Sequence, residues 1–194
     1  MSEPDPTTLG STITIVRWWQ AWDTEHDEFV TFRWEHDGWT IEGRLAPADV
    51  DYVMRLGPDG EVRQFMLFRD LDEPDLWLAH DGRGTWGEVN GAARPDLDGC
   101  MAVGPTNAML LLSLPIRRLG VWAAEDETFT TKLGLIDVET LGVVAQDHAY
   151  TRTGTTSWSM IRSATTGPPL DAVADVDDDF LLIEVPGLGR QRSE

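Results

Sequence analysis

Apolar and polar residues alternate with a period of two along much of this chain. In residues 28–35, Val30, Phe32 and Trp34 fall on one face while Arg33 and Glu35 fall on the other. This alternation predicts β-strands, because successive side chains of a strand point to opposite sides of a sheet. Turn dipeptides separate the runs, and a helical period is weak throughout the chain. The pattern predicts about eleven short strands, with a helical turn or two at 49–54 or 106–112.

The predicted elements favour one mostly β domain that covers residues 1–194. We expect an antiparallel sheet that curls, with few short helices, and loose ends at residues 1–10 and 188–194. The predicted strands cover residues 13–19, 28–35, 40–45, 50–56, 61–69, 76–79, 120–124, 132–138, 141–150, 157–162 and 180–185.

Some of the predicted strands carry apolar residues on both faces. Phe29 lies beside Val30, and apolar runs occupy residues 65–68 and 180–183. Both faces of such strands must be covered. The cover could be a helix, a second layer of the same sheet or a partner chain, or the strands could surround an internal cavity.

Charge and targeting signals narrow the possible partners. The chain has 15 Lys and Arg residues against 34 Asp and Glu residues, so its formal net charge is −19. Nucleic acid and anionic membranes should repel such a chain. The acidic N-terminal residues argue against a signal peptide, and we expect no apolar run to span a bilayer. Cys100 is the only cysteine, which excludes an intrachain disulfide and suits the cytoplasm. We expect a cytoplasmic monomer.

No motif identifies a cofactor, a metal site or a catalytic nucleophile. Residues 82–87 match the dinucleotide-binding glycine pattern, but a strand rather than a helix should follow them, so they predict a hairpin loop. The histidines have no metal-ligand spacing. We therefore predict no enzyme activity, no cofactor and no metal.

Tryptophans and a pair of arginines are the features that suggest a binding site. Trp18, Trp19 and Trp34 belong to an N-terminal cluster, and Trp86 lies on a later strand. These rings either fill the core of a curved sheet or line a pocket for an apolar chain or a sugar ring. Arg117 and Arg118 occupy a predicted strand over 114–119, so one of them should face the interior. It would form a structural ion pair or anchor a polar head group.

Several short motifs, in order along nearly the whole chain, resemble the bacterial Putative glycolipid-binding family. The most specific of them is Leu114-Pro115-Ile116-Arg117-Arg118-Leu119. Residues 108–113 separate it from a Thr-Asn pair that the family places almost next to it. The other matching motifs are Arg17-Trp18-Trp19, the Gly-Trp turn at 37–43, the G-x-W at 84–86, Gly99-Cys100, Pro105-Thr106-Asn107, Gln146 with Tyr150-Thr151-Arg152, and Pro186-Gly187-Leu188.

The resemblance implies a spiral β-roll, similar to the half-barrels of lipoprotein carriers that hold acyl chains in an apolar cavity. Our first hypothesis is therefore non-enzymatic binding of a lipid or glycolipid-like amphiphile. The alternatives are a hydrolase or isomerase that acts on a sugar conjugate through cavity carboxylates, and a structural or interaction protein without a ligand. The predicted ligand-binding residues are Trp18, Trp19, Phe32, Trp34, Phe65, Trp86, Asn107, Arg117, Arg118 and Tyr150.

Overall fold

The computed structural model describes residues 13–22, 27–70, 73–162 and 169–192. The predicted loose end at 1–10 lies outside these residues. Short 3-10 helices occupy Pro95–Leu97 and Gly120–Trp122. The longer elements are β1 (Thr14–Ala21), β2 (Asp27–Glu35), β3 (Gly38–Ala46), β4 (Val50–Leu56), β5 (Val62–Phe68), β6 (Leu76–His80), β7 (Trp86–Glu88), β8 (Cys100–Pro105), α1 (Met109–Leu119), β9 (Thr128–Ile136), β10 (Val143–Arg152), β11 (Ser157–Arg162), β12 (Leu170–Asp175), β13 (Glu184–Val185) and β14 (Gly189–Gln191).

Two sheets contain these strands. The first sheet has the order β13-β14-β1-β2-β3-β4-β5-β6-β7, with every neighbouring pair antiparallel. The second sheet has the order β12-β11-β10-β9-β8, and only β8 and β9 run parallel. Among the described residues neither sheet closes into a barrel. The predicted class, a mostly β protein with curved antiparallel sheets, is confirmed.

The two faces of the first sheet differ in burial. On the inner face, Val30, Gly43, Tyr52 and Leu67 lie side by side across four strands, and the three apolar side chains are buried. The outer face carries Phe29, which is 37% exposed, together with charged residues. The alternation seen in the sequence therefore reflects one buried face and one partly solvated face.

Helix α1 packs in the core. Residues 109–116 are all buried, including Ser113 and Pro115. Leu111 lies near Gly104 of β8, and a side chain at Gly120, just after the helix, would meet Trp158 of β11. The helix is therefore covered on several sides, which explains its continuous apolar run. It has 11 residues, and no helix among the described residues has the length and hydropathy to cross a bilayer.

The strand predictions over 114–124 are wrong. Residues 114–119 form the last turns of α1, and Gly120–Trp122 forms a 3-10 helix. Pro115 lies inside the helix, where its ring and missing N–H are normally unfavourable. The segment resembles a strand in the sequence because proline argues against helix.

Two predictions near the C-terminus also need correction. Only Glu184–Val185 of the predicted strand 180–185 is a strand, because Phe180 adopts a positive φ of 60° and the chain turns there. The predicted loose end at 188–194 contains β14, which pairs with both β1 and β13. These backbone hydrogen bonds order the segment up to residue 191.

Candidate functional site

A cavity of about 500 Å³ opens where β1 ends and β2 begins. The loop before α1, the end of β9 and the turn before β14 complete its walls. The volume falls in the range of roughly 300–1,000 Å³ that is usual for small-molecule pockets. This cavity is the candidate site.

Several side chains that line the cavity are apolar. Trp19 and Met109 are almost fully buried, with exposures of 1% and 4%. Val138 belongs to the chain just after β9 and is partly buried. The larger apolar lining residues are Trp19, Leu45, Met109, Ile136, Val138 and Leu188.

Other side chains that line the cavity are polar, and most of them carry oxygen atoms. Glu28 is buried, whereas Asp137 and Glu139 are exposed. No lysine or arginine is found among the described residues that line the cavity. The polar lining side chains are those of Gln20, Glu28, Thr106, Asn107, Asp137 and Glu139.

Glu28 is the most buried acid of the lining, with 2% exposure. Its Oε1 accepts a hydrogen bond from the Tyr52 hydroxyl at 2.6 Å, and its Oε2 accepts one from the Leu110 N–H at 3.1 Å. Burial raises the pKa of Glu28 to about 7, although both hydrogen bonds oppose this rise. The carboxyl group therefore changes its charge near neutral pH.

The carboxylate of Glu28, which lies on β2, also caps the N-terminus of α1. Ala108, at the N-cap position, has no side-chain oxygen that could accept from the first helical N–H groups. Glu28 supplies that acceptor, and its negative charge suits the positive end of the helix dipole. The contact therefore joins α1 to the inner face of the first sheet.

Gly43 makes room for the Tyr52–Glu28 contact. A Cβ atom at Gly43 would lie 1.9 Å from Cζ of Tyr52, so the tyrosine ring occupies the space above this glycine. Residue 43 is the glycine that follows the Gly-Trp turn in the sequence. Close approach of a ring to the backbone explains why glycine is needed there.

Two of the ten predicted binding residues, Trp19 and Asn107, line the cavity. The indole Nε1 of Trp19 donates to the Leu182 carbonyl at 2.6 Å, which fixes the ring. Asn107 adopts a positive φ of 65°, and its Oδ1 accepts a hydrogen bond from Nη2 of Arg162 at 3.0 Å. Their contact with a ligand stays a prediction.

The other predicted aromatic residues lie elsewhere. Phe32, Phe65 and Trp86 belong to the core and are at most 1% exposed. Trp18 lies on the outer face of the first sheet, where its ring stacks on Phe29 with centroids 4.9 Å apart. Trp34 packs edge-on against Trp39 near the other end of β2. The structure thus does not bring Trp18, Phe32, Trp34 and Phe65 together around one cavity.

The two arginines diverge from the last turn of α1 rather than from a strand. Arg117 points inward, where its guanidinium carbon lies 5.3 Å from the Phe32 ring centroid and 5.2 Å from that of Trp39. Its Nη1 donates to the Asp179 carbonyl. Burial lowers the pKa of Arg117, and the carboxylates of Asp179 and Asp177 oppose this shift.

Arg118 lies at the surface, with its Nη2 3.5 Å from a carboxylate oxygen of Asp59. Neither Arg117 nor Arg118 is part of the cavity wall. Both arginines are therefore already in contact with other side chains or carbonyl groups of this protein.

A polar cluster lies on the buried face of the second sheet. We call Gln146, His148, Tyr150 and Arg162 the second-sheet cluster; all four are at most 4% exposed. Within the part of the chain that the structure describes, Nε2 of His148 and the Tyr150 hydroxyl have no hydrogen-bond partner. Burial lowers the pKa of His148 to about 4, and the charge of Arg162 adds to this effect. Tyr150, a predicted binding residue, belongs to this cluster and is not among the residues that line the cavity.

A second, more open groove of about 710 Å³ follows the outer face of the first sheet. Apolar side chains of Val16, Phe29, Val53 and Phe68 alternate there with charged side chains of neighbouring strands. The outer apolar residues seen in the sequence are thus only partly covered. No group of three metal-binding side chains forms within the described ranges.

Sequence reasoning did not single out Glu28, although the signal was present. Glu28 is in phase with Val30, Phe32 and Trp34, so the alternation places a carboxylate on the apolar face of β2. A buried acid is costly unless it is hydrogen-bonded, which makes such a position informative. Thr106, Asp137 and Glu139 follow strands but carry no comparable signal.

The comparisons with known proteins agree with this architecture. The chain is similar to a DUF1089-family protein from Pseudomonas aeruginosa, known from a crystal structure, with 26% identity and a TM-score of 0.65 over 86% of this chain and 93% of that chain. No curated protein sequence matches. A family described as "Putative glycolipid-binding" matches residues 16–191. This match covers both sheets, α1 and the cavity, so the chain belongs to the Putative glycolipid-binding family.

Proposed function

We propose that the protein binds a glycolipid-like amphiphile in the 500 Å³ cavity and does not transform it. The observation that carries the proposal is that apolar side chains and oxygen-bearing side chains line the same cavity. An amphiphile needs both, because its alkyl chain seeks apolar surface and its head group needs hydrogen-bond partners. The family description supports the same ligand class.

The apolar side chains that line the cavity can contribute useful binding free energy. Each buried methylene contributes about 0.8 kcal/mol, so five methylenes contribute about 4 kcal/mol. That free energy corresponds to roughly a thousandfold in affinity. Trp19, Leu45 and Met109 are the side chains that would contact the alkyl chain.

A binding role fits Glu28 better than a catalytic role. Both carboxyl oxygens of Glu28 already accept hydrogen bonds from Tyr52 and α1, so this group holds the fold together beside the cavity. Burial raises the pKa of the Cys100 thiol to about 12, which makes it a poor nucleophile.

One observation favours an enzymatic alternative, namely an acid with a pKa of about 7 in a cavity wall. Turnover of aryl glycosides by the wild type, with loss of that turnover in Glu28→Gln, would establish this alternative. Absence of turnover across such a panel is the result that we expect.

The proposal includes a cytoplasmic monomer without nucleic-acid partners. The formal net charge of −19 opposes binding to phosphate backbones, and the single cysteine is buried and free. Light scattering should give the mass of one chain. A dimer that covers the outer groove would favour the interaction-protein alternative instead.

A matched pair of substitutions tests which cavity binds. Val138→Trp should fill the proposed cavity, whereas Val53→Trp places the same bulk in the outer groove. We expect calorimetric titration with octyl glucoside to lose at least tenfold in affinity for Val138→Trp and to change little for Val53→Trp. The unfolding temperatures of both variants serve as the control for folding.

Loss of binding in Val53→Trp with normal binding in Val138→Trp would contradict the proposed location. Absence of octyl glucoside binding by the wild type, together with recovery of only ligand-free protein in native mass spectrometry, would contradict the proposed function.

A further inference from the structure

The hydrogen bonds inside the cavity wall determine which polar groups remain for a ligand. The Thr106 hydroxyl donates to the Ile136 carbonyl at 3.1 Å, so its oxygen remains as an acceptor. The Asn107 Oδ1 accepts from Arg162, and the Gln20 Oε1 accepts from Nε of Arg192 at 3.0 Å. These two side chains therefore have their amide NH₂ groups left as donors.

The carboxylates make the wall acceptor-rich and negative. Asp137 accepts from the backbone N–H groups of Thr140 and Glu139 at 2.9 and 3.0 Å. These bonds, with a further one from the Thr140 side chain, lower the pKa of Asp137 and keep it ionised. The exposed Glu139 adds a second carboxylate at the cavity rim.

The nearest described cations already have partners in the protein. Arg162 is buried and donates to the Asn107 oxygen. Arg192 donates to Gln20, while its guanidinium carbon lies 4.4 Å from the Trp18 ring centroid. Arg69 donates to the backbone carbonyl of Glu139 and pairs with Asp75 at 2.8 Å. A phosphate or sulfate in the cavity would therefore face carboxylates, because none of the described lining residues carries a guanidinium group.

We infer that the cavity selects amphiphiles with an uncharged polyol or amine-bearing head group and discriminates against phosphate and sulfate head groups. This inference rests on the proposed function. A sugar hydroxyl both donates and accepts, so it can use the carboxylate and Thr106 oxygens as well as the two amides. A phosphate is mainly an acceptor at neutral pH, and the rim carboxylates repel its charge.

The test compares amphiphiles that share one alkyl chain. Octyl glucoside, octylammonium and octyl phosphate are titrated into the wild-type protein, each below its critical micelle concentration, at low and at physiological salt. We expect octyl glucoside and octylammonium each to bind at least tenfold more tightly than octyl phosphate. The difference in affinity between these two amphiphiles and octyl phosphate should become smaller as the salt concentration increases, because salt screens the rim charges.

A charge-neutralising double variant locates the discrimination. Asp137→Asn with Glu139→Gln should reduce the octyl glucoside preference over octyl phosphate at least threefold. The matched control, Glu42→Gln with Asp51→Asn, removes the same charge from the outer groove and should leave the preference unchanged.

Octyl phosphate that binds as tightly as octyl glucoside would overturn the inference and leave the proposed function intact. The inference also fails, again without harm to the proposed function, if the cavity variant and the groove variant change the preference equally. If none of the three amphiphiles binds, the proposed function itself fails.

Discussion

The two sheets each bury an ionisable side chain next to a tyrosine, and the two arrangements differ in their hydrogen bonds. On the first sheet, Glu28 accepts from Tyr52 and from the N-terminus of α1. On the second sheet, His148 Nε2 and the Tyr150 hydroxyl lack a partner among the described residues. An unsatisfied buried polar group costs about 1–3 kcal/mol. The hydrogen bonds of Glu28 therefore support the fold, whereas the two groups of His148 and Tyr150 without a described partner should cost stability.

The position of the two clusters relative to the cavity adds to this contrast. Glu28 lines the cavity directly, whereas the described contact between the second-sheet cluster and the cavity lining is the hydrogen bond from Arg162 to Asn107. The comparison indicates that the cavity wall is built from groups whose hydrogen bonds are fixed before a ligand arrives. Fixed partners hold the wall in one geometry and so reduce the entropic cost of binding.

Removal of the Glu28 carboxylate should give the largest effect. Glu28→Ala leaves the Leu110 N–H and the Tyr52 hydroxyl without their acceptor and opens a hole in the wall. We expect a loss of about 4 kcal/mol in the free energy of unfolding, measured by urea denaturation. Glu28→Gln keeps one acceptor oxygen and should lose less than half as much. Equal losses in both variants would show that charge, rather than hydrogen bonding, matters at this position.

Glu28 and His148 should change the stability of the fold in opposite directions as pH rises. The pKa of Glu28 is about 7 in the folded protein, against 4.5 for the ordinary group, so the folded state binds the proton more tightly than the unfolded state. The contribution of protonated Glu28 to stability is therefore lost as pH rises from 4.5 to 7. The lowered pKa of His148, about 4 against 6.5, makes the unfolded state hold the proton longer. Its contribution is therefore lost as pH falls from 6.5 to 4.

In the wild type these contributions largely cancel between pH 4.5 and 6.5. The stability of His148→Phe should fall by about 3 kcal/mol as pH rises from 4.5 to 7, because His148 no longer offsets the loss of the Glu28 contribution. Glu28→Gln should gain a similar amount as pH rises from 4 to 6.5. Urea unfolding at a series of pH values measures both trends, and parallel profiles for the three proteins would contradict this account.

Substitution of the two tyrosines should give the smallest difference in stability. The two variants are closely matched, because each loses one buried hydroxyl group. Tyr52→Phe removes the 2.6 Å hydrogen bond to Glu28 and should cost about 2 kcal/mol. Tyr150→Phe removes a hydroxyl without a described partner and should be neutral or slightly stabilising. Thermal unfolding of the two variants checks the difference. A larger loss for Tyr150→Phe would place the more important hydrogen bond on the second sheet.

The strands of the first sheet could be predicted because one of their faces is buried. Alternation around Val30, Phe32 and Tyr52 follows directly from that burial. The sequence does not predict β8, because most of its residues are buried regardless of face and Cys100–Pro105 shows no alternation. It does not predict β12 either, because alanines form much of the buried face of that strand and give a weak apolar signal.

The site was harder to predict than the fold. Trp19, Asn107 and Leu188 come from distant parts of the chain, and only the folded sheets bring them to one cavity. Arg117 is prominent in the sequence, yet its partners are the protein's own Phe32, Trp39 and Asp179. Short motifs therefore identified the family, while the set of residues that line the cavity depended on tertiary structure.

The most direct test of the central claim is photo-crosslinking with an alkyl glucoside that carries a diazirine in its chain, followed by mass-spectrometric mapping of the labelled residues. The account predicts labels on Leu45, Met109, Ile136 and Val138, with competition by unlabelled octyl glucoside. Labels on Phe29, Val53 and Phe68 of the outer groove, or labels that no competitor reduces, would contradict it.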